Sequence, residues 1–346
     1  DYNRTGEFAS DVAAAFGRRS QNDLAAREVL RSSAYSLYAS ARHRWSAIEA
    51  ELGVRFERQV YDQFEAHTLL SPRFNLRYDF SQQWSLYGSL GRFTQPQRVD
   101  EWRLEEAQHA PDRPEVATHS VLGVAFEGAR ARVSLEAYRK HWSHVRPYFD
   151  NQLDRLSLVP DLQPDRVRIA PLGSEAQGVE LNAHYAWTPR LDFWGGYTWS
   201  QVQDELGGTD VPRSWDQPHA IMLGTAWHTA RTRASALLAW HEGWPSTPVG
   251  WLAGGQAGPT QVRIGARNSI RWENYLTLDL RVEWTIPLGR NEWSAWADVT
   301  NVANHANPCC FRIQALQGPS SGPEYLPGAW LPRILNVGFV WRVRDH

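Results

Sequence analysis

The stretch Leu276-Thr277-Leu278-Asp279-Leu280-Arg281-Val282-Glu283-Trp284-Thr285-Ile286 decides the fold. Its even positions are all apolar and its odd positions all polar or charged. A helix would scatter those charges around its circumference; a strand, whose side chains alternate, gathers them on one face. The same alternation recurs along the chain. Phe74, Leu76, Tyr78 and Phe80 alternate with Arg73, Asn75, Arg77 and Asp79, and Val179, Leu181, Ala183, Tyr185 and Trp187 with Glu180, Asn182 and His184. At the end, Leu335, Val337, Phe339, Trp341 and Val343 form one face. About 14 such segments can be marked out, each near the ~9–11 residues that a tilted transmembrane strand requires.

The links between segments carry a second regularity. Short polar links fall near His43-Arg44, Ser81-Gln82-Gln83, Glu127–Arg130, Thr188–Arg190, His228–Arg231 and Pro287–Arg290. Longer stretches rich in Pro and Gly lie at Gln95–Glu115, Trp142–Ser174, Gln201–Trp215, Glu242–Ile270 and Asn304–Trp330. Long and short links alternate, which predicts an all-β, antiparallel transmembrane barrel with tight periplasmic turns and long outer loops. A soluble sandwich or propeller has no reason to lengthen every second loop, and no fixed repeat period marks propeller blades.

Composition fits that reading. The 346 residues carry a net charge of -2, without the basic field of a nucleic-acid binder. No apolar stretch reaches the ~18–20 residues of a spanning helix. The chain holds 18 tryptophans, 12 tyrosines and 12 phenylalanines, and of its 36 Lys and Arg residues only Lys140 is lysine. Trp84, Tyr185, Trp187, Tyr197, Trp199, Trp227, Trp240, Trp284 and Trp341 recur at strand ends, where an aromatic girdle meets the membrane interface. The apolar faces then meet lipid and the charged faces a wet lumen; the reverse would cost roughly 2–4 kcal/mol for an arginine at the midplane.

The last segment, Asn336-Val337-Gly338-Phe339-Val340-Trp341-Arg342-Val343, resembles the C-terminal assembly signal of bacterial outer-membrane barrels, with Arg344-Asp345-His346 following where such chains commonly end. Asn336, Gly338, Trp341 and Val343 carry that resemblance. Trp296-Ala297-Asp298-Val299-Thr300-Asn301-Val302-Ala303-Asn304 and Leu331-Pro332-Arg333 resemble the penultimate strand and final-strand lead-in of TonB-dependent receptors. Ser174–Leu181, Ser71-Pro72-Arg73 and Gly91–Pro96 are similar to other barrel segments of that family. The resemblance implies a 22-stranded barrel closed by an N-terminal plug that the inner-membrane TonB complex pulls, built into the outer membrane by the barrel-assembly machinery. Residues 1–346 are then expected to be the C-terminal portion of one barrel domain, with the plug and first strands absent. The chain opens on Asp1 and its only methionine is Met222, which fits either a missing N-terminal part or a removed leader. A complete 14-stranded passive channel is the alternative, and a soluble Trp-rich binding module a remote third.

The family implies uptake of a scarce, large small-molecule or metal-chelate substrate: a ferric siderophore, cobalamin or an oligosaccharide. Two outer-loop groups are candidates for contacting it, Trp142, Arg146, Tyr148 and Phe149 in one and His241, Trp244, Trp251, Arg263 and Arg267 in the other. Aromatic plates with arginines stack on rings and pair with anions. Loop packing is the alternative role for each residue.

No catalytic constellation is expected. His141 and His144 point to opposite faces of a strand, Glu105-Glu106 and the Asp161/Asp165 pair read as solvated loop charges, and no nucleophile elbow is present. Neither a metal nor a cofactor is expected, and no nucleic-acid partner. Cys309 and Cys310 are adjacent in the last long loop. An oxidising periplasm favours a bridge between them, but neighbouring Cα atoms are only ~3.8 Å apart, so a vicinal disulfide would be strained. Reduced or intermolecularly bonded thiols are the alternative.

Overall fold

The computed structural model describes residues 2–7, 21–26, 31–98, 101, 110–151, 166–252, 261–288, 291–314 and 324–342. Thirteen long strands dominate them. They are β1 (Ser32–Trp45), β2 (Ile48–Tyr61), β3 (Phe64–Asp79), β4 (Trp84–Gln95), β5 (Glu115–Glu127) and β6 (Ala131–His144). After these come β7 (Gly173–Thr188), β8 (Leu191–Leu206), β9 (His219–His228) and β10 (Thr232–His241). The last three are β11 (Tyr275–Leu288), β12 (Asn291–Thr300) and β13 (Ile334–Arg342). Each pairs antiparallel with its neighbour in sequence, giving one meander sheet from β1 to β13. The sheet's fourteenth strand is Thr209–Pro212, which folds back on the end of β8 through Gly207-Gly208. Both glycines have positive φ, 60° and 81°, as a two-residue hairpin turn matched to strand twist requires. No ladder joins β1 to β13 among the described residues, so the sheet is open, with two edges.

Register makes the two faces explicit. Leu238, Leu278 and their flanking rows place Leu280, Val282 and Trp284 beside Ala236, Ala234 and Thr232 on one side and Val299, Ala297 and Ala295 on the other. On the opposite face Arg281 and Glu283 sit beside Ser235, Arg233, Asp298 and Trp296. The apolar face stays uncovered: Leu280, Val282 and Trp284 are 41%, 49% and 52% exposed. Among the described residues only Tyr61, Ala117, Ile169, Ala176 and Cys309 form a buried hydrophobic core, whereas buried polar residues are far more numerous. Apolar surface on this scale has no place in water. It belongs against lipid, as the alternation predicts.

Eight of the nine girdle aromatics fall on the apolar face by register, and the ninth, Trp187 at an irregularity in β7, packs its ring against Tyr185 and Phe193 of that face. Near the short turns they cluster, with Trp84 between Phe80 and Phe126, Trp187 between Tyr185 and Phe193, and Trp341 stacked on Trp293.

Two links differ from the sequence reading. The first short turn is Ser46-Ala47 rather than His43-Arg44, because Arg42 and Arg44 stay in β1 to pair with carboxylates on β2 and β3. The β2–β3 link is only Asp62-Gln63, although it lies at the end where every other link is long.

Candidate functional site

The polar face is laced with ion pairs toward the short turns. Arg42 reaches Glu51 at 2.7 Å, Arg44 reaches Asp79 at 2.7 Å, and Arg342 reaches Glu292 at 2.7 Å. Higher up, large rings lie over glycines on the next strand. Tyr87, Tyr138, Trp194 and Trp296 each fill the space that a Cβ would need at their cross-strand partners Gly123, Gly178, Gly224 and Gly338. The glycine is what lets the ring lie down against the sheet.

At the loop end the polar face gathers aromatic rings into two patches. Phe93 on β4, His119 on β5 and Trp142 on β6 form the first, with ring centroids 4.3 Å and 6.0 Å apart along that series. Lys140, the register partner of His119, places its ammonium 5.1 Å from the Tyr138 ring. The second patch begins with His241, which stacks on its register partner Tyr275 at 4.8 Å and 3°. Trp244 lies 5.2 Å from His241, and Trp215 packs edge-on against Trp244 at 4.9 Å.

Near the patches runs a collar of buried carboxylates, each held by an arginine, two of them from another loop and one from the link that follows β8. Asp204, only 2% exposed, accepts from the Arg213 guanidinium at 3.0 Å, from the Tyr148 hydroxyl at 2.9 Å and from the Ser174 hydroxyl. Asp150 accepts from Arg267 at 2.6 Å and from the Ser214 hydroxyl. Asp216 accepts from Arg271 at 2.5 Å and from the Val202 backbone N–H at 2.7 Å. A buried carboxylate is tolerable only with such partners. Burial and the adjacent Asp204 carboxylate push the Tyr148 hydroxyl up to about 12. Arg146 belongs to the same system and donates to Glu101 at 2.5 Å and Glu115 at 3.3 Å. Burial pushes the Glu101 carboxyl up, but hydrogen bonds from Arg146 and the Arg98 N–H outweigh it and hold the group below its ordinary range.

A family model described as "TonB dependent receptor-like, beta-barrel" matches residues 1–302. The chain belongs to the TonB-dependent receptor β-barrel family. Solved structures agree on the fold. The FrpB iron transporter from Neisseria meningitidis is 14% identical, with a TM-score of 0.59 over 90% of this chain and 45% of that one. The unliganded ferric citrate transporter FecA is 13% identical, with a TM-score of 0.58 over 90% of this chain and 45% of its own. FpvA of P. aeruginosa bound to heterologous pyoverdines is 16% identical, with a TM-score of 0.58, covering 92% and 40%. This chain thus spans less than half the length of the solved structures it matches. No curated protein matches it.

In a TonB-dependent receptor barrel of the bacterial outer membrane, the polar face is the inner wall and the loop end faces outside. Of the outer-loop candidates, the structure puts Trp142 in the first inner-wall patch and His241 and Trp244 together in the second. Arg146, Tyr148 and Arg267 are committed to the collar, and Phe149 lies under the Arg166 guanidinium at 5.9 Å. Arg263 is exposed on the strand Gln261–Ile264, and the side chain of Trp251 lies outside the described residues. Phe93, His119, Lys140 and the collar aspartates escaped the sequence reading. Lys140 had a signal, as the one lysine in an arginine-rich chain. The aspartates had none: the arginines of Asp150 and Asp216 come from a distant loop, and Arg213, nine residues from Asp204, is brought to it by the Gly207-Gly208 turn.

The receptor-like segments contact one another. Asn301, 1% exposed and at a positive φ of 51°, donates through its side chain to the His305 and Leu331 carbonyls. Asn304 accepts the Arg333 N–H at 2.9 Å, so the penultimate-strand segment clasps the lead-in to β13. On β13, Asn336 donates to Asp298 at 2.9 Å, while Val343 lies outside the described residues. Cys309 is a buried free thiol, and the side chain of Cys310 lies outside the described residues. Glu105, Glu106, Asp161 and Asp165 also lie outside them. Among the described residues no group of three or more His, Cys, Asp or Glu is placed to hold a metal ion.

Proposed function

We propose that this chain forms the wall of an outer-membrane receptor and transporter that takes up a scarce, bulky substrate with energy delivered by the TonB complex, and that the substrate is a ferric chelate. The observation that carries the reading is the pair of aromatic patches on the inner wall at the outer mouth. Phe93, His119 and Trp142 offer faces to an aryl or catecholate group, and Lys140 beside them offers a cation to an anionic chelate. His241, Tyr275, Trp244 and Trp215 offer a second stacking surface. The similar solved structures include an iron transporter and a ferric citrate transporter, which supports iron over cobalamin or an oligosaccharide. Family membership weighs against a complete passive channel. Insertion by the barrel-assembly machinery fits the β13 contacts of Gly338 and Asn336.

The test uses outer membranes containing the whole receptor. Labelled ferric catecholate and hydroxamate chelates, cobalamin and an oligosaccharide are offered in turn. A ferric chelate is expected to bind, and Trp142→Ala with Trp244→Ala to weaken it about tenfold, as loss of two ring contacts of ~0.5–1.5 kcal/mol each implies. Binding of cobalamin or the oligosaccharide instead would move the substrate class. Steady conductance with no energised uptake would replace the transporter by a channel.

A further inference from the structure

The second aromatic patch draws its tryptophans from two different links. Trp215 lies between β8 and β9, and Trp244 between β10 and β11. The His241 ring is 3° from the plane of Tyr275 and 31° from that of Trp244, while Trp215 stands across Trp244 at 77°. These rings form a corner, and Trp215, 47% exposed, is its open wall.

One side chain holds the residues next to both tryptophans. Arg271 donates through Nη1 to the Asp216 and Gly243 carbonyls, each at 3.1 Å, and through Nη2 to the Asp216 carboxylate at 2.5 Å. Asp216 follows Trp215 in the chain, and Gly243 precedes Trp244. The Asp216 carboxylate is pinned to the wall in turn, because it accepts the Val202 N–H of β8 at 2.7 Å. Arg271 is fixed by a short ladder of Pro245-Ser246 against Ile270-Arg271, continued by the Trp272 N–H to the Trp244 carbonyl at 3.1 Å. Gly243 admits this approach, since a Cβ there would meet the Trp272 carbonyl oxygen at 1.8 Å. A planar guanidinium with donors on fixed vectors bridges two carbonyls and a carboxylate at once; an ammonium on a flexible stem does not hold that geometry.

We propose that Arg271 is the positioning residue of this corner: it sets Trp215 across Trp244 and so gives the receptor a preference for a chelate bearing a flat aryl group over an aliphatic one. The ligand is that of the ferric-chelate reading above, on which this preference rests; the placing of the rings does not depend on it. An aryl group lies on one wall of the corner with its edge against the other, the two arrangements that aromatic rings favour. An aliphatic hydroxamate chelate offers neither the face nor the edge of a ring. Released from Arg271, Trp215 and Trp244 keep their bulk and lose their mutual angle, so discrimination is what falls. Arg271 needs no contact with the ligand for this.

The experiment labels the whole receptor with fluorotryptophan and follows Trp215 and Trp244 by fluorine NMR, their resonances assigned through Trp215→Phe and Trp244→Phe. Arg271→Met is expected to shift both resonances, and Arg42→Gln, in an ion pair at the far end of the wall, to shift neither. Asp216→Asn combined with Arg271→Met removes both charges of the pair, a change that folded proteins often tolerate, and should shift them as the single variant does. Binding is then compared for a ferric catecholate and an aliphatic ferric hydroxamate chelate. The unmodified receptor is expected to favour the catecholate. Both Arg271 variants are expected to lose about fivefold of that preference, the worth of one ring contact, at unchanged hydroxamate affinity. Unmoved resonances, displaced resonances with the preference intact, or an unmodified receptor that favours the hydroxamate would overturn the proposal. Should neither chelate bind the unmodified receptor, the iron reading fails alone, and the resonances still decide whether Arg271 sets the rings.

Discussion

The indole of Trp296 on β12 lies over Gly338 on β13, its direct cross-strand partner, in the space that any side chain at 338 would occupy. The Arg281 guanidinium stands 4.5 Å from the same ring, on the other side of β12. The last strand is therefore keyed to the wall by a ring in a notch, with a cation behind it.

Gly338→Val is expected to displace the indole and destabilise the barrel by about 1–3 kcal/mol, the usual cost of overpacking. Pairing it with Trp296→Ala removes the clash and should recover part of the loss. Folded and unfolded fractions resolved by heat-dependent mobility in gels give the measurement. Equal damage in the single and double variants would dissociate the glycine from the ring.

Asp204→Ala leaves Arg213 facing a buried space and strands the Tyr148 and Ser174 hydroxyls. The expected cost is about 3 kcal/mol, the low end for a broken buried pair, because Arg213 keeps partial access to water. Asp298→Ala removes a partner from the more exposed Arg281 and should cost under about 1 kcal/mol. Limited proteolysis of the outer loops, set beside thermal unfolding, separates a loosened collar from a weakened barrel.

Tyr148 sets an alkaline limit on the collar. Its hydroxyl is raised to about 12 by burial and by Asp204, above the ordinary value of 10.0. Between those values the folded protein binds the proton more tightly than the unfolded chain does. Its contribution is complete below pH 10 and is lost as pH rises toward 12. Protease resistance of the loops should fall across that window, and Tyr148→Phe should flatten this part of the profile.

Cys309 should resist alkylation until the protein is denatured, because its thiol is buried. Intact-mass measurement without reductant then counts alkylated thiols. Two per chain after denaturation would establish that Cys309 and Cys310 are unbridged; none, with one chain per mass, would establish the vicinal bridge.

Much of the fold was legible because strand geometry has a period of two and lipid demands one apolar face. Leu276 to Ile286 could be read as half of a wall without any partner, and so could the alternation of turns and loops. The β2–β3 turn escaped because Asp62-Gln63 sits between Tyr61 and Phe64 with neither a proline nor a glycine to mark it. The aromatic candidates Trp142, His241 and Trp244 were legible as loop-end rings, though not which rings would meet. The collar was beyond reading: Arg267 and Asp150 pair across 117 residues of chain, and nothing local to either names the other. Arg146 and Tyr148 looked available for ligand for the same reason.

The Asp62-Gln63 turn also bears on how the receptor is approached. Every other link at that end between β1 and β13 runs long, from 207–218 up to 242–274 and 301–333, so this stretch of wall has its low sill at β2–β3. Tyr61 anchors beside it by donating to the Gln97 carbonyl at 2.6 Å, which holds the end of β4's exit segment against the sill. Along this stretch of wall, anything that approaches from the side has the fewest residues to pass at β2–β3.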